Sequence, residues 1–149
     1  RRVAVLGAGG VSRALVAALV HYGAKVSVFN RTVARAERLA EEFAAASGPL
    51  EAVAEAGCEI VINGTSVGMH PNVDATPLAE IPAGASVVFD TIYNPPETRL
   101  LREARAAGCT VVTGVEMFVR QAVAQFELWT GRPAPRDVMR RVVEDRLGA

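Results

Sequence analysis

The sequence predicts an α/β domain, a mainly parallel sheet of five or six strands with helices on both faces. Three observations carry this expectation. Short runs rich in Val and Ile alternate with longer, alanine-rich amphipathic segments, the pattern left when a helix returns each strand to the same side of a sheet. Turn formers fall at the joints: Gly23, Gly48-Pro49, Pro82, Gly84, Asn94-Pro95 and Gly108. The first apolar run passes directly into the glycine cluster Gly7-Ala8-Gly9-Gly10, and an amphipathic segment follows at once.

In chain order, strands are expected at Val3–Leu6, Lys25–Phe29, Glu59–Asn63, Ser86–Asp90 and Thr110–Thr113. Each is a short β-branched run bounded by Gly, Pro or Asn. Helices are expected at Val11–His21, Val33–Ala46, Pro96–Ala107, Val115–Trp129 and Pro135–Leu147, where apolar residues recur at helical spacing. The segment Ala44–Gly57, "AAASGPLEAVAEAG", shows little β-branched character, so a third strand there is expected to be short or absent.

The chain has 149 residues, half of them hydrophobic and 5% aromatic, enough for one compact core and too few for two. Sixteen basic residues balance sixteen acidic ones, so no overall field draws the molecule to nucleic acid or to an anionic membrane. Any anion must be met locally. Cys58 and Cys109 each follow a glycine and lead into an apolar run, a spacing that fits neither a metal motif nor a redox dithiol and reads as two small buried residues in a reducing compartment. No apolar run reaches the roughly 18 residues of a membrane span, and no leader-like segment opens the chain, so it reads as soluble and cytoplasmic. It begins almost on its first strand, as a domain of a longer polypeptide would. Residues 1–131 read as the nucleotide-binding domain and 132–149 as a C-terminal helix.

The glycine cluster explains the fold's first function. Gly7 permits a tight turn after the strand, Gly9 lets the backbone approach a pyrophosphate, and Gly10 removes another side chain at the same edge. Ala8 and Val11 complete the loop, and the N–H groups opening the next helix face the anion. Ser12 stands where the fingerprint has a third glycine, and it is small enough for close packing of helix on strand. The pattern is that of a Rossmann-like, doubly wound domain that binds a dinucleotide.

The second strand ends in "VFNRT". NAD-binding versions carry a carboxylate here, accepting hydrogen bonds from the adenosine ribose. Asn30 replaces it and removes a charge that would repel a 2′-phosphate. Arg31 follows, Arg35 lies one helical turn on, and Thr32 is placed to cap the second helix. The expected cofactor is therefore NADP. At roughly 1.5–3 kcal/mol per charge-assisted hydrogen bond, two arginine contacts would favour it over NAD by about two to four decades before desolvation.

Three later motifs, "NGTSVGM" (63–69), "DTIYNPPETRLL" (90–101) and "GVEMFVRQAVAQFELWTG" (114–131), follow "GAGGVSRA" and "NRT" in order. Together they resemble the NADP-binding half of shikimate dehydrogenase, over nearly the whole chain. The stretch "NGTSVGMHPNVDATPL" and the tail resemble most the version fused to a dehydroquinate dehydratase. The resemblance implies reversible hydride transfer between NADPH and 3-dehydroshikimate, giving shikimate in aromatic amino-acid biosynthesis. It implies that Thr65, Ser66, Val67 and Met69 border the ribose and nicotinamide, that Gly114 and Met117 sit by the nicotinamide ring, and that Tyr93 and Gln121 face the substrate. Met69 and Met117 have core filling as their plain alternative. Tyr93 has the Asn94-Pro95 turn. His70 reads as solvated, and His21 as a partner for its helix C-terminus.

The same resemblance implies a proton donor, a lysine paired with an aspartate, in an N-terminal substrate domain. The chain's one lysine, Lys25, opens the second strand, about five residues or roughly 16 Å from the end that would hold the cofactor. No catalytic or metal-ligating residue is therefore expected in this chain, and alone it should bind cofactor without catalysis. Its C-terminal stripe, Val138, Met139, Val142, Val143 and Leu147, is expected to pack toward the substrate domain, to dock locally, or to pair with another copy. Quinate dehydrogenase, a reductase of the glutamyl-tRNA reductase type and a non-catalytic NADP-binding module stand as alternatives. The neutral charge and the "YNP" and "VEMFVRQA" segments argue against an RNA-bound substrate.

Overall fold

A computed structural model describes residues 1–148. The elements are β1 (Arg2–Leu6), α1 (Gly10–His21), β2 (Lys25–Asn30), α2 (Val33–Glu42), β3 (Ala46–Pro49), a 3-10 turn (Leu50–Val53), β4 (Ile60–Asn63), β5 (Val87–Asp90), α3 (Arg99–Ala106), β6 (Thr110–Val112), α4 (Gly114–Thr130) and α5 (Arg136–Leu147). All strand pairs are parallel, in the order β3-β2-β1-β4-β5-β6. The order reverses between β1 and β4, and the carboxyl ends of those strands frame the crevice where open α/β sheets bind ligands.

Alternation along each strand sorts the core into two layers. Val3 and Val5 of β1, Val26 and Val28 of β2 and Ile62 of β4 pack with Val16 of α1 and with Ala36 and Leu39 of α2. Ala4, Leu6, Phe29, Val61 and Val88 point to the opposite face, onto Leu100 and Ala104 of α3, Val53 of the 3-10 turn and the two cysteines. Strands covered on both faces must be apolar throughout, which is why they read as continuous runs. Both cysteines are buried and unpaired with each other, and burial pushes the Cys58 thiol up from its ordinary value.

Two helix boundaries are corrected. The second helix stops at Glu42 rather than Ala46: Ala44 is left-handed, at φ 52°, and Phe43 and Ala45 turn inward onto the core. The third strand, expected to be short or absent, is present and short: Ala46–Pro49, paired from Ser27↔Ala46 to Asn30↔Pro49. Alanine-rich sequence lets local propensity run on, whereas the free edge of β2 decides the outcome. The third long helix starts at Arg99, three residues later than expected, because the Thr98 hydroxyl caps it by accepting from the Leu101 N–H at 3.4 Å.

The C-terminal helix docks on α4. Met139, Val143 and Leu147 pack on Val115, Val119 and Val123, while Arg140 is bonded to Glu116. Val138 and Val142, from the same stripe, stay exposed. Among the described residues no helix is long and apolar enough to cross a membrane.

Candidate functional site

The loop from β1 to α1 is built by Gly7. Its φ of +97° is open to glycine alone at no cost, and a Cβ there would lie 2.9 Å from Thr65 Cγ2 and 3.2 Å from the Gly64 carbonyl oxygen. Its N–H donates to the Phe29 carbonyl at 2.7 Å, fixing the turn against β2. Ser12, fully buried, does what the third glycine would do: its Oγ reaches the Gly64 carbonyl at 3.4 Å and lets α1 sit against the loop after β4.

Gly9 and Gly10 differ in kind from Gly7. A Cβ on either would meet nothing within 4 Å, so the protein's own packing does not require them. Gly9 offers α1 no side-chain cap, and the first turn carries no acidic residue, leaving the helix start to the N–H groups and the dipole. Such a start suits a pyrophosphate, and the residues fit a dinucleotide.

Beside this loop lies a cleft of about 470 Å³ lined by Ala8, Gly9, Gly10, Arg13, Arg35, Arg38, Leu39 and Glu42. Arg13 Nε meets Glu42 Oε2 at 3.0 Å across it, from α1 to α2, and Arg38 Nε donates to the Ala34 carbonyl. Among the described residues, neither Arg31 nor Arg35 is paired with a carboxylate. Both are exposed, as are Thr32, Val33 and Ala34, and the first turn of α2 holds no acid. Thr32 departs from expectation. It occupies the cap position, but its hydroxyl accepts nothing from the helix; the local bond is instead Asn30 Nδ2 to the Thr32 carbonyl at 2.9 Å. That bond orients Asn30 and leaves the Thr32 hydroxyl available to an anion.

On the other side of the loop a second cleft, about 410 Å³, is lined by Val11, Gly64, Thr65, Ser66, Met69, His70, Thr91, Ile92, Tyr93 and Asn94. It brings together Thr65, Ser66, Met69 and Tyr93, the last of them remote in sequence from the others. Val67 lines a separate hollow with Ser66, Gly68 and Pro71. Met117 and Gln121 line neither cleft. They face a larger groove of about 800 Å³ between α4 and the β5–β6 surface, with Phe89, Val112, Glu116 and Arg120. Tyr93 connects the two regions by stacking on Phe118 of α4, ring centroids 4.8 Å apart at 24°. Gly114 is required by contact: a Cβ there would run into the Ile92 carbonyl and the Tyr93 nitrogen, so α4 starts directly on the 92–93 backbone. The Thr113 hydroxyl caps that start, accepting from the Glu116 N–H at 3.2 Å.

Sequence reasoning passed over the polar residues beneath the second cleft. Asn63 and Asp90 face each other at the carboxyl ends of β4 and β5, both fully buried. Asn63 Nδ2 donates to Asp90 Oδ1 at 3.0 Å, and Asn63 Oδ1 accepts from the Thr65 N–H and hydroxyl at 3.0 and 2.7 Å. Asp90 also accepts from the Ile92 N–H at 3.1 Å and the Thr98 hydroxyl at 2.6 Å. Burial pushes the Asp90 carboxyl above its ordinary range, and these three bonds oppose that rise. The signal was visible as two Val/Ile runs each ending in a buried-strand position that is polar. Arg13 and Arg38 were also missed, because their approach to the glycine loop depends on how α1 and α2 pack. Among the described residues no three His, Cys, Asp or Glu side chains converge as metal ligands would.

Comparison with known proteins agrees with this geometry. Residues 1–95 match the family described as shikimate / quinate 5-dehydrogenase, and residues 114–144 match the shikimate 5′-dehydrogenase C-terminal domain. The NADP(+)-type shikimate dehydrogenase of Methanosarcina acetivorans is 44% identical over 99% of the chain and 56% of its own length. The chloroplastic bifunctional 3-dehydroquinate dehydratase/shikimate dehydrogenase of Arabidopsis thaliana is 44% identical over 93% of the chain and 24% of its own length. The crystal structure of the Thermus thermophilus shikimate 5-dehydrogenase with NADP(H) and shikimate superposes with a TM-score of 0.87 at 39% identity, covering 96% of this chain and 54% of that one. The chain thus spans about half the length of the free-standing enzymes it matches.

Proposed function

This chain belongs to the shikimate / quinate 5-dehydrogenase family, and from that membership we propose that it is the NADP(H)-binding half of a shikimate dehydrogenase. The reaction is reversible reduction of 3-dehydroshikimate to shikimate in the cytoplasm, and bound NADPH supplies the hydride. The observation that carries the reading is the end of β2: Asn30, Arg31 and Thr32 stand where an NAD site has its carboxylate, beside two glycines that packing does not require.

The chain's own residues have three tasks. Gly9, Gly10 and the start of α1 take the pyrophosphate, while Arg31, Thr32 and Arg35 take the 2′-phosphate. Val11, Thr65, Ser66 and Met69 shape the wall against the nicotinamide, and Gly114 brings the start of α4 to it, with Met117 one turn on in the groove between α4 and the β5–β6 surface. Tyr93 presents a hydroxyl to a polyhydroxylated substrate from the second cleft, and Gln121 an amide from the groove between α4 and the β5–β6 surface. The proton for the new hydroxyl has no lysine donor here, since Lys25 lies at the opposite end of β2, paired with Arg2. A second domain carrying that donor completes the site, and exposed Val138 and Val142 of α5 offer it, or another copy, an apolar contact.

Titration of the chain with NADPH and with NADH, followed by nicotinamide fluorescence, tests the reading. NADPH should bind at least about tenfold tighter, and binding of neither would overturn the cofactor assignment. Shikimate oxidation with NADP should be undetectable with this chain alone; turnover like a complete enzyme's would refute the assignment of proton transfer to another domain.

A further inference from the structure

We infer that Asp90 is a positioning residue, whose carboxylate sets the shape of the nicotinamide-side cleft without touching cofactor or substrate. The inference rests on the cofactor reading above and names a determinant that reading does not include.

Three elements meet at this one side chain, two of them near it in the chain and one, the end of β4, 27 positions away. Asn63 Nδ2 comes from the end of β4, the Ile92 N–H from the loop after β5, and the Thr98 hydroxyl from the start of α3. All three donate. The Thr98 oxygen already accepts from the Leu101 N–H, so its own proton is directed to Asp90 Oδ2. Asp90, Asn63 and Thr98 are between 0% and 1% exposed, so water cannot substitute for a lost partner. Every neighbour being a donor, the form that fits is the ionised carboxylate, with two oxygens and enough lone pairs for all three.

The carboxylate, at 3.0 Å, also fixes which way the Asn63 amide points, together with the Val67 carbonyl, which accepts from the same Nδ2 at 3.4 Å. With Nδ2 turned to Asp90, Oδ1 is left facing the N–H and hydroxyl of Thr65. The Thr65 hydroxyl oxygen in turn accepts from the Val67 N–H at 3.1 Å, which folds the 65–67 loop into the cleft wall. On the β5 side, the same carboxylate holds Ile92, whose carbonyl is the surface on which Gly114 rests and whose successor is Tyr93. The two loops are joined again where the His70 N–H donates to the Asn94 carbonyl at 3.1 Å. A single buried charge therefore orients both walls of the cleft.

Asp90→Asn replaces one acceptor oxygen by a donor while keeping the shape. The new amide N–H must then face the Asn63 amide, the Ile92 N–H or the Thr98 hydroxyl, and turning Asn63 to relieve this would set its own Nδ2 against the Thr65 N–H. The error reaches the 65–67 loop and the nicotinamide side. It does not reach the cleft between α1 and α2, whose lining comes from residues 8–13 and 35–42.

The test uses two probes on the 149-residue chain: NADPH, which spans both clefts, and adenosine 2′,5′-bisphosphate, which engages the arginine side alone. Asp90→Asn should weaken NADPH about tenfold or more, as expected for disrupted buried hydrogen bonds, and should abolish the fluorescence shift of the bound nicotinamide. Bisphosphate affinity should change less than about twofold, because its contacts are distant and independent. Thr98→Val should act in the same direction, and Thr98→Ser, which keeps the hydroxyl, should restore NADPH binding. If Asp90→Asn does not fold, the Thr98 pair decides the matter on the same probes. Equal losses for both probes, or no loss for either, would overturn the positioning role. A wild-type chain that binds neither probe would overturn the cofactor reading itself, a distinct result.

Discussion

Replacing Gly9 by alanine separates what a ligand requires from what the fold requires. Gly9 has φ −94° and ψ −173°, extended backbone open to any residue, and the added Cβ would meet no atom within 4 Å. Two small terms then set its stability. Alanine is a poorer N-cap than glycine by about 0.5–1 kcal/mol, and it restricts the unfolded chain, which stabilises by about 0.4–1 kcal/mol. They nearly cancel, so Tm should stay within roughly 2 °C of wild type at about 2–4 °C per kcal/mol for a chain of this size. The methyl does project where a pyrophosphate must approach the start of α1, so NADPH affinity should fall at least about tenfold, or 1.4 kcal/mol. Gly7→Ala provides the contrast. Its φ of +97° and the 2.9 Å approach to Thr65 Cγ2 combine backbone strain of about 1–3 kcal/mol with overpacking of similar size. Tm should drop by roughly 4–24 °C. Differential scanning fluorimetry and NADPH titration read both variants. A Gly9→Ala chain that is strongly destabilised, or that binds NADPH as wild type does, would refute the assignment of this glycine to the ligand.

Further outcomes follow from single contacts. Arg31→Ala should cut the preference for NADPH over NADH by about 10- to 150-fold, the loss of one charge-assisted hydrogen bond, with NADH affinity unchanged; titration of both nucleotides checks it. Hydrogen bonds from Arg140 and Arg120 hold the Glu116 carboxyl below its ordinary range. A depressed carboxyl stabilises above its unfolded pKa and loses that contribution as pH falls through its folded value, so α5 should loosen from α4 in acid. Hydrogen-exchange protection in residues 136–147, taken relative to the intrinsic exchange rate at each pH, should fall as pH drops below the ordinary glutamate value of about 4.3, and Glu116→Gln should remove that dependence. Cys58 is buried with its thiol pushed up, and Cys109 is buried on the Ala85 carbonyl, so both should react slowly with a thiol reagent until the chain is unfolded. Rapid labelling of the native chain would contradict this.

Legibility followed the range of the interactions. Strands β1, β2, β4, β5 and β6 were readable to within a residue because each is built on a short Val- or Ile-rich run bounded by Gly, Pro or polar residues. The glycine loop was readable because its requirements are local to residues 7–12. Ala46–Pro49 was not, since nothing in "ASGP" favours a strand until β2 presents an unpaired edge. Met117, placed by resemblance beside the nicotinamide, and Gln121, placed with Tyr93 facing the substrate, line the groove between α4 and the β5–β6 surface, whereas Tyr93 lines the cleft with Thr65 and Ser66. Asp90 was quoted within a motif and given no role, because its importance lies in three partners from three different segments.

By itself the sequence determined the layered α/β architecture, the phosphate-binding turn and the absence of a carboxylate at the end of β2. Each depends on residue type within a few positions of chain, through steric freedom at glycine, side-chain charge or apolar periodicity. Tertiary structure decided which glycines the fold itself demands, whether the edge strand forms, where α5 docks, and how one buried carboxylate orients two loops. Those outcomes are set by contacts between residues remote in the chain, as between Asn63 and Asp90, 27 positions apart, and such contacts exist only once the sheet has assembled.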